Sequence, residues 1–203
     1  VRRKKKLMKT KEITLSGVWK TIEGELKKAV NDRNHAFKLP VISTINGNQP
    51  NLRTVVLRNA ETEPLTLTFY TDSRSQKVEE LKSNRNLTWL FWDAETQTQV
   101  KVVSQAKMEQ GTRRNQEIWE SMHIGSRAAY LTRSAPSTAQ TMSSNGLPLD
   151  FFEKELEQNN EYFTIVDCIV SEVEWLQLSR GNNLRARFSI DKEKEMIATW
   201  LVP

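Results

Sequence analysis

The chain has 203 residues, of which 37% are hydrophobic and 27% charged, and its formal net charge is +5. That length suits one strand-rich domain with a substantial core, and the single cysteine, Cys168, excludes an intrachain disulfide or a thiolate metal cluster. No apolar run approaches the ~18 residues of a membrane helix.

The charge is unevenly spread. Of the 30 basic residues, seven lie between Val1 and Lys11, leaving 23 against 25 acidic residues in the rest of the chain. Residues 1–11 therefore read as a basic, flexible tail and 12–203 as one domain. A tail of this kind can touch nucleic acid or anionic lipid, but the near-neutral body argues against a nucleic-acid partner. The start lacks the apolar segment of a secretory signal, so a cytoplasmic, reducing location is expected.

The apolar spacing of Val18, Trp19, Ile22, Leu26, Ala29 and Val30 predicts an amphipathic helix over Leu15–Asn31. An apolar run over Phe37–Ile45, the turn Asn46–Pro50 and a returning strand over Leu52–Arg58 predict a hairpin. After a polar loop over Asn59–Pro64, a strand is expected over Leu65–Thr71 and a short helix over Gln76–Lys82, capped by Ser73 or Ser75. Strands follow over Leu87–Trp92 and Gln99–Met108, then a helix over Gln116–Leu131 with Ile118, Trp119 and Met122 inward. The Ser-, Thr- and Pro-rich stretch Ser134–Gly146 is a long loop, and Leu149–Asn159 an acidic helix. Four closing strands are predicted at Tyr162–Val170, Val173–Leu178, Leu184–Ile190 and Met196–Val202. Strands in meander spacing with a few helices give a mainly β fold, an antiparallel barrel carrying helices.

Chemistry-bearing motifs are scarce. There is no Gly-rich dinucleotide or phosphate loop, no nucleophile elbow and no zinc-protease pair. His35 and His123 are far apart with no ligand-like spacing, so no metal site is expected, and Cys168 reads as a small core residue. An enzyme built from these residues would borrow a cofactor. The strongest positive signal is an anion site: Ser73, Ser75 and Lys77 at a helix start, with Arg53 or Arg58 near. Residues five apart on a regular strand face opposite ways, so Arg53 and Arg58 can serve one ligand only if the strand bends or ends between them.

Arg53-Thr-Val-Val-Leu-Arg58, Phe69-Tyr-Thr71, Ser75-Gln-Lys77, Gln99-Val100 and Trp175 with Arg187-Phe188 resemble, in order, the pyridoxamine 5'-phosphate oxidase family and its oxidase-related FMN-binding branch. The resemblance implies a split β-barrel homodimer with FMN between subunits, and an FMN-dependent oxidoreductase activity. It implies that Arg53 and Lys77 hold the FMN phosphate, with Tyr70, Thr71, Ser75 and Gln76 lining the site. Thr54, Val55, Val56, Leu57 and Arg58 would run under the ring, Gln99 would hydrogen-bond it, and Trp175 and Arg187 would close the pocket from the partner chain. Arg58, Asn183 and Arg185 fall where the family binds substrate. Gln76 replaces a basic phosphate ligand, Arg58 a lysine, and Asn183 and Arg185 an R-x-H pair. The resemblance thus keeps its flavin half better than its substrate half, and a different small anionic substrate is expected. A true pyridoxamine phosphate oxidase and a non-catalytic flavin-binding protein are the alternatives.

Overall fold

The structure is a computed structural model that describes residues 13–147, 159–190 and 195–203. The basic tail, and all but Asn159 of the acidic helix expected over 149–159, lie outside those residues. The helix α1 spans Leu15–Asn31, as its periodicity predicts. Thr14 caps it by accepting the Gly17 N–H at 3.1 Å. Its stripe of Val18, Ile22, Leu26 and Ala29 is buried, each large side chain contributing about 1.5–3 kcal/mol.

Among the described residues nine strands follow: β1 Val41–Asn46, β2 Gln49–Thr54, β3 Asn59–Thr62, β4 Leu65–Asp72, β5 Asn86–Asp93, β6 Thr98–Glu109, β7 Phe163–Gln177, β8 Leu184–Ile190 and β9 Met196–Leu201. The helices between them are α2 Gln76–Ser83, α3 Arg113–Ser121 and α4 Ile124–Arg127. All strand pairs are antiparallel, in the order β2-β1-β5-β6-β7-β4-β3, with β8 and β9 continuing from β7. The sheet does not close on itself, consistent with a split barrel.

The inner face is laid down by alternation. Leu87, Trp89 and Phe91 of β5 point in, while Leu90 and Trp92 point out. Ile42, Trp89, Val102, Val173 and Phe188 form one buried row across five strands. The helix α1 closes over this core, with Trp19 5.2 Å from the Phe188 ring. A second, smaller core gathers Trp119, Tyr130, Phe163 and Ile165 beneath α3 and α4.

Four details differ from the sequence reading. The strand expected over Leu52–Arg58 stops at Thr54, because Val55, Leu57 and Arg58 give their amides to the Pro40, Lys38 and Thr68 carbonyls, which do not form one paired strand. The expected loop over Asn59–Pro64 contains β3, which pairs with β4. The helix expected over Gln116–Leu131 starts earlier, at Arg113, where Thr112 caps it, and breaks at Met122. There His123 caps α4 through Nδ1, and a short 3-10 turn over Ala128–Tyr130 follows. The strands expected over Tyr162–Val170 and Val173–Leu178 are one strand, β7, because a register shift opposite Val103 and Ser104 absorbs the extra residue. We expect Leu26→Ala to cost about 2–5 kcal/mol in urea unfolding; a loss below about 1 kcal/mol would mean that α1 does not hold the core shut.

Candidate functional site

The corner where β4 hands over to α2 is built by Asp72. Its Oδ1 accepts the Arg74 N–H at 2.8 Å, which folds the turn, and its Oδ2 pairs with Arg74 Nη2 at 2.7 Å. Arg74 also lies 3.7 Å from the Tyr162 ring centroid and donates to the Thr132 carbonyl at 2.9 Å, tying the turn to the segment just before the long loop. The turn delivers Ser75 to the N-cap of α2, but the Ser75 side chain does not cap the helix. Its hydroxyl lies 3.1 Å from that of Thr71, which accepts a hydrogen bond from Lys77 Nζ at 3.0 Å. Burial, and then the charge of Arg53, lower the pKa of Lys77 below the ordinary lysine range.

Arg53 reaches the same corner from β2. Its Nη2 pairs with Glu80 Oε2 at 3.0 Å and its Nη1 donates to Thr44 Oγ1. Glu80 is only 5% exposed, and Asn51 donates to its Oε1 at 2.8 Å. Burial alone would raise this carboxyl, but the hydrogen bonds from Thr44, Asn51 and Arg53 outweigh it and hold Glu80 below the usual range. Arg53, Thr71, Ser75 and Lys77 are therefore brought together around the first turns of α2. Gln76, next to them, is exposed.

Because β2 ends at Thr54, the alternation that would set Arg53 and Arg58 on opposite faces does not apply. Thr54 is exposed, Val55 and Val56 are half-buried, and Leu57 is fully buried. Arg58 holds its guanidinium 5.3 Å from the Tyr70 ring centroid.

The remaining candidates sit on β6, β7 and β8. Gln99, Arg185 and Arg187 share the outer face of the sheet, away from the core, whereas Trp175 points inward and is 6% exposed. Among the described residues no hydrogen bond or ion pair joins them to the α2 corner within one chain. Asn183 lies in the turn before β8, where its Oδ1 accepts the Ser179 N–H at 2.9 Å. Sequence reasoning missed Glu174, which is 4% exposed on the outer face. It accepts Arg185 Nη2 at 2.6 Å and lies 3.5 Å from Arg187 Nη2 and 3.4 Å from Lys101 Nζ. Burial would raise this carboxyl as well, and Arg185 and Lys101 bring it below the usual range. The cross-strand register, Lys101 to Glu174 to Arg187, is the signal that finds it, and only the fold supplies that register.

Residues 16–110 match the family model described as pyridoxamine 5'-phosphate oxidase, FMN-binding domain. That match covers just under half of the chain. The match takes in Arg53 through Lys77 and Gln99, and ends before Trp175, Arg185 and Arg187. Among solved structures, the chain is similar to a pyridoxamine 5'-phosphate oxidase-related, FMN-binding protein of Nostoc punctiforme, with TM-score 0.74, 16% identity, and 91% of this chain and 97% of that one covered. It is also similar to PhzG of Burkholderia lata in complex with tetrahydrophenazine-1-carboxylic acid, with TM-score 0.71, 17% identity and 92% of both chains covered. A third similar structure is a Clostridium acetobutylicum protein related to general stress protein 26, with TM-score 0.55, 15% identity, and 89% of this chain and 99% of that one covered. These identities speak for the fold alone. No curated protein matches the chain in sequence.

Glu80 orients Arg53. We expect Glu80→Gln to cost about 1–3 kcal/mol in urea at neutral pH, by leaving the guanidinium without its charge partner. The folded pKa of Glu80 lies below its unfolded value, so its contribution is full above the ordinary glutamate range and is lost as the pH falls through the folded value. Wild type should accordingly lose more stability than Glu80→Gln below about pH 4. Parallel losses in the two proteins would show that Glu80 does not carry this charge.

Proposed function

We propose that the chain is a flavoprotein that binds FMN between the subunits of a homodimer and works in the cytoplasm as an oxidoreductase. The observation that carries this reading is Lys77: a half-buried ammonium whose hydrogen bond goes to the neutral Thr71 hydroxyl, beside Arg53 and an uncapped helix start. Burying such a cation is costly without an anion, and a phosphate suits a helix N-terminus flanked by hydroxyls and cations. The residues present therefore fit the phosphate of FMN, and the family match supports the flavin itself. No helix among the described residues is long and apolar enough to cross a membrane.

In this reading Arg53 and Lys77 neutralise the phosphate, while Thr71 and Ser75 supply hydroxyls. Gln76 adds no charge, which places the grip on the other two. Thr54 to Arg58 offer the ring a floor of backbone and apolar side chains, with Tyr70 behind Arg58. Gln99 gives the ring edge an amide, and Trp175 and Arg187 close the site from the partner subunit. FMN, when bound, supplies the two-electron hydride chemistry. Arg58, Asn183 and Arg185 meet the substrate, with Arg185 oriented by Glu174. A substrate other than pyridoxamine phosphate is favoured, because Asn183 is engaged as a turn residue and Arg185 is paired to a buried carboxylate.

Two observations favour a second reading, flavin binding without turnover: His35 and His123 serve as helix caps, and Cys168 is fully buried. A nucleic-acid surface is poorly supported, since Trp89 and Trp119 are fully buried, although Trp92 is 42% exposed.

The deciding measurement is the visible spectrum after FMN is added and the excess removed. We expect a bound flavin spectrum in wild type and none in Arg53→Ala/Lys77→Ala; a colourless wild type would overturn the reading. A pH series separates the phosphate grip from ring binding. Because the pKa of Lys77 is lowered, its charge is lost below the ordinary lysine range, and FMN affinity should fall there as the pH rises. Riboflavin, which has no phosphate, should not show that fall.

A further inference from the structure

Behind the α2 corner a buried hydroxyl stands without a partner. Thr164, on β7, is 2% exposed, and its Oγ1 makes no hydrogen bond among the described residues. An unpaired buried hydroxyl is costly and uncommon in a folded protein. Register sets its place. Thr164 lies opposite Thr71 of β4, while the pairing of β7 with β6 ends at Ile165, opposite Glu109. Among the described strands Thr71 is therefore its one paired neighbour. Residues directly opposite in an antiparallel pair share a face, with Cβ atoms about 4.5–5.5 Å apart. The unpaired hydroxyl thus stands on the face from which Lys77 and Ser75 reach Thr71.

Thr71 is the centre of that corner. It is 6% exposed, accepts from Lys77 Nζ at 3.0 Å, and shares a hydrogen bond with the Ser75 hydroxyl at 3.1 Å. A hydroxyl has one proton to give and two lone pairs. Between Thr71 and Ser75, one of their two protons is therefore spent within the empty corner. Ionised phosphate oxygens only accept, so Thr71 and Ser75 must each turn a proton toward a bound phosphate, and Lys77 its ammonium. Thr71 is then left with lone pairs facing β7, where Thr164 holds an unspent proton. A turn of Thr164 about χ1 to another staggered rotamer lets it donate to Thr71, and that bond keeps the Thr71 proton aimed outward.

We propose that Thr164 is a positioning residue for the phosphate grip, unpaired while the corner is empty and bonded to Thr71 once a phosphate is held. The proposal deepens the flavin reading and rests on it, since the phosphate is that of FMN. It adds β7 to the elements that serve the phosphate, from outside the span 16–110 that the family model matches.

The test compares Thr164→Val, which keeps the shape and removes the hydroxyl, with Thr164→Ser, which keeps the hydroxyl. Affinities of the full chain for FMN and for riboflavin are read by fluorescence titration at about 0.15 M salt. We expect Thr164→Val to weaken FMN by about fivefold or more and to leave riboflavin unchanged, with Thr164→Ser within about twofold of wild type for both. Thermal unfolding of flavin-free Thr164→Val should be unchanged or raised, because no hydrogen bond is lost there. Wild-type FMN affinity in Thr164→Val would overturn the proposal, as would an equal loss for riboflavin or an equal loss in Thr164→Ser. A lowered unfolding temperature in flavin-free Thr164→Val would also overturn it, by showing that the hydroxyl is already bonded in the empty corner. The two readings fail differently: FMN bound equally by wild type and Thr164→Val removes this inference alone, whereas a wild type that binds no FMN removes the flavin reading and this inference with it.

Discussion

A strand has only two edges, and β7 uses both along its length. One edge pairs with β6 almost throughout, from Ile165 opposite Glu109 to Gln177 opposite Thr98. The other is divided: Phe163–Ile169 pairs with β4, and Glu172–Gln177 pairs with β8. The division falls at Ser171, where the register with β6 also shifts. A bulge strengthens the local twist and bends its strand, so the two halves of β7 can lead their partners apart. The α2 corner hangs from β4 and the Arg185–Arg187 pair from β8, and one strand sets the placement of both.

Buried carboxylates fix the cations in each place. Glu80 holds Arg53 against β1, and Glu174 holds Arg185 with Arg187 and Lys101 near. Burying a carboxylate costs free energy unless charge and hydrogen bonds offset it. Both groups titrate below the usual range despite that penalty, so the offset dominates. The result is a guanidinium with little rotamer freedom left to lose when a ligand arrives, which favours binding by pre-organisation. Lys77 and Arg58 differ in kind. Their contacts are with a hydroxyl and an aromatic ring, and their charge is left for something else.

The parts of the fold legible in the sequence are those whose pattern is local. The stripe of α1 needs only its own spacing, and its bounds, Leu15–Asn31, come out as read. The strand over Leu184–Ile190 does likewise. Elements defined by partners elsewhere in the chain were harder to read. Val55–Leu57 has the composition of a strand, yet Val55 and Leu57 give their amides to the Pro40 and Lys38 carbonyls instead of to a strand partner, and nothing local announces that. Thr112 as the cap of α3 is a local signal, whereas the break at Met122 depends on Arg127 folding back to the Glu120 and Met122 carbonyls. At the site, the spacing of Ser75 and Lys77 showed the anion-binding character of the helix start. The partner of Arg53 lies 27 residues away and that of Arg185 lies across a strand pair, so neither carboxylate could be found before the register was known.

Cys168 sits in the middle of β7, fully buried, with its thiol pKa pushed well up by burial. A neutral, inaccessible thiol is inert toward alkylating reagents. As the one cysteine in the sequence, it leaves the folded protein without a reactive thiol. A cysteine introduced at an exposed position such as Leu39→Cys would then be the single point of attachment for a fluorophore or spin label. The native chain is thus a ready background for spectroscopic distance measurement, with no native thiol to remove first.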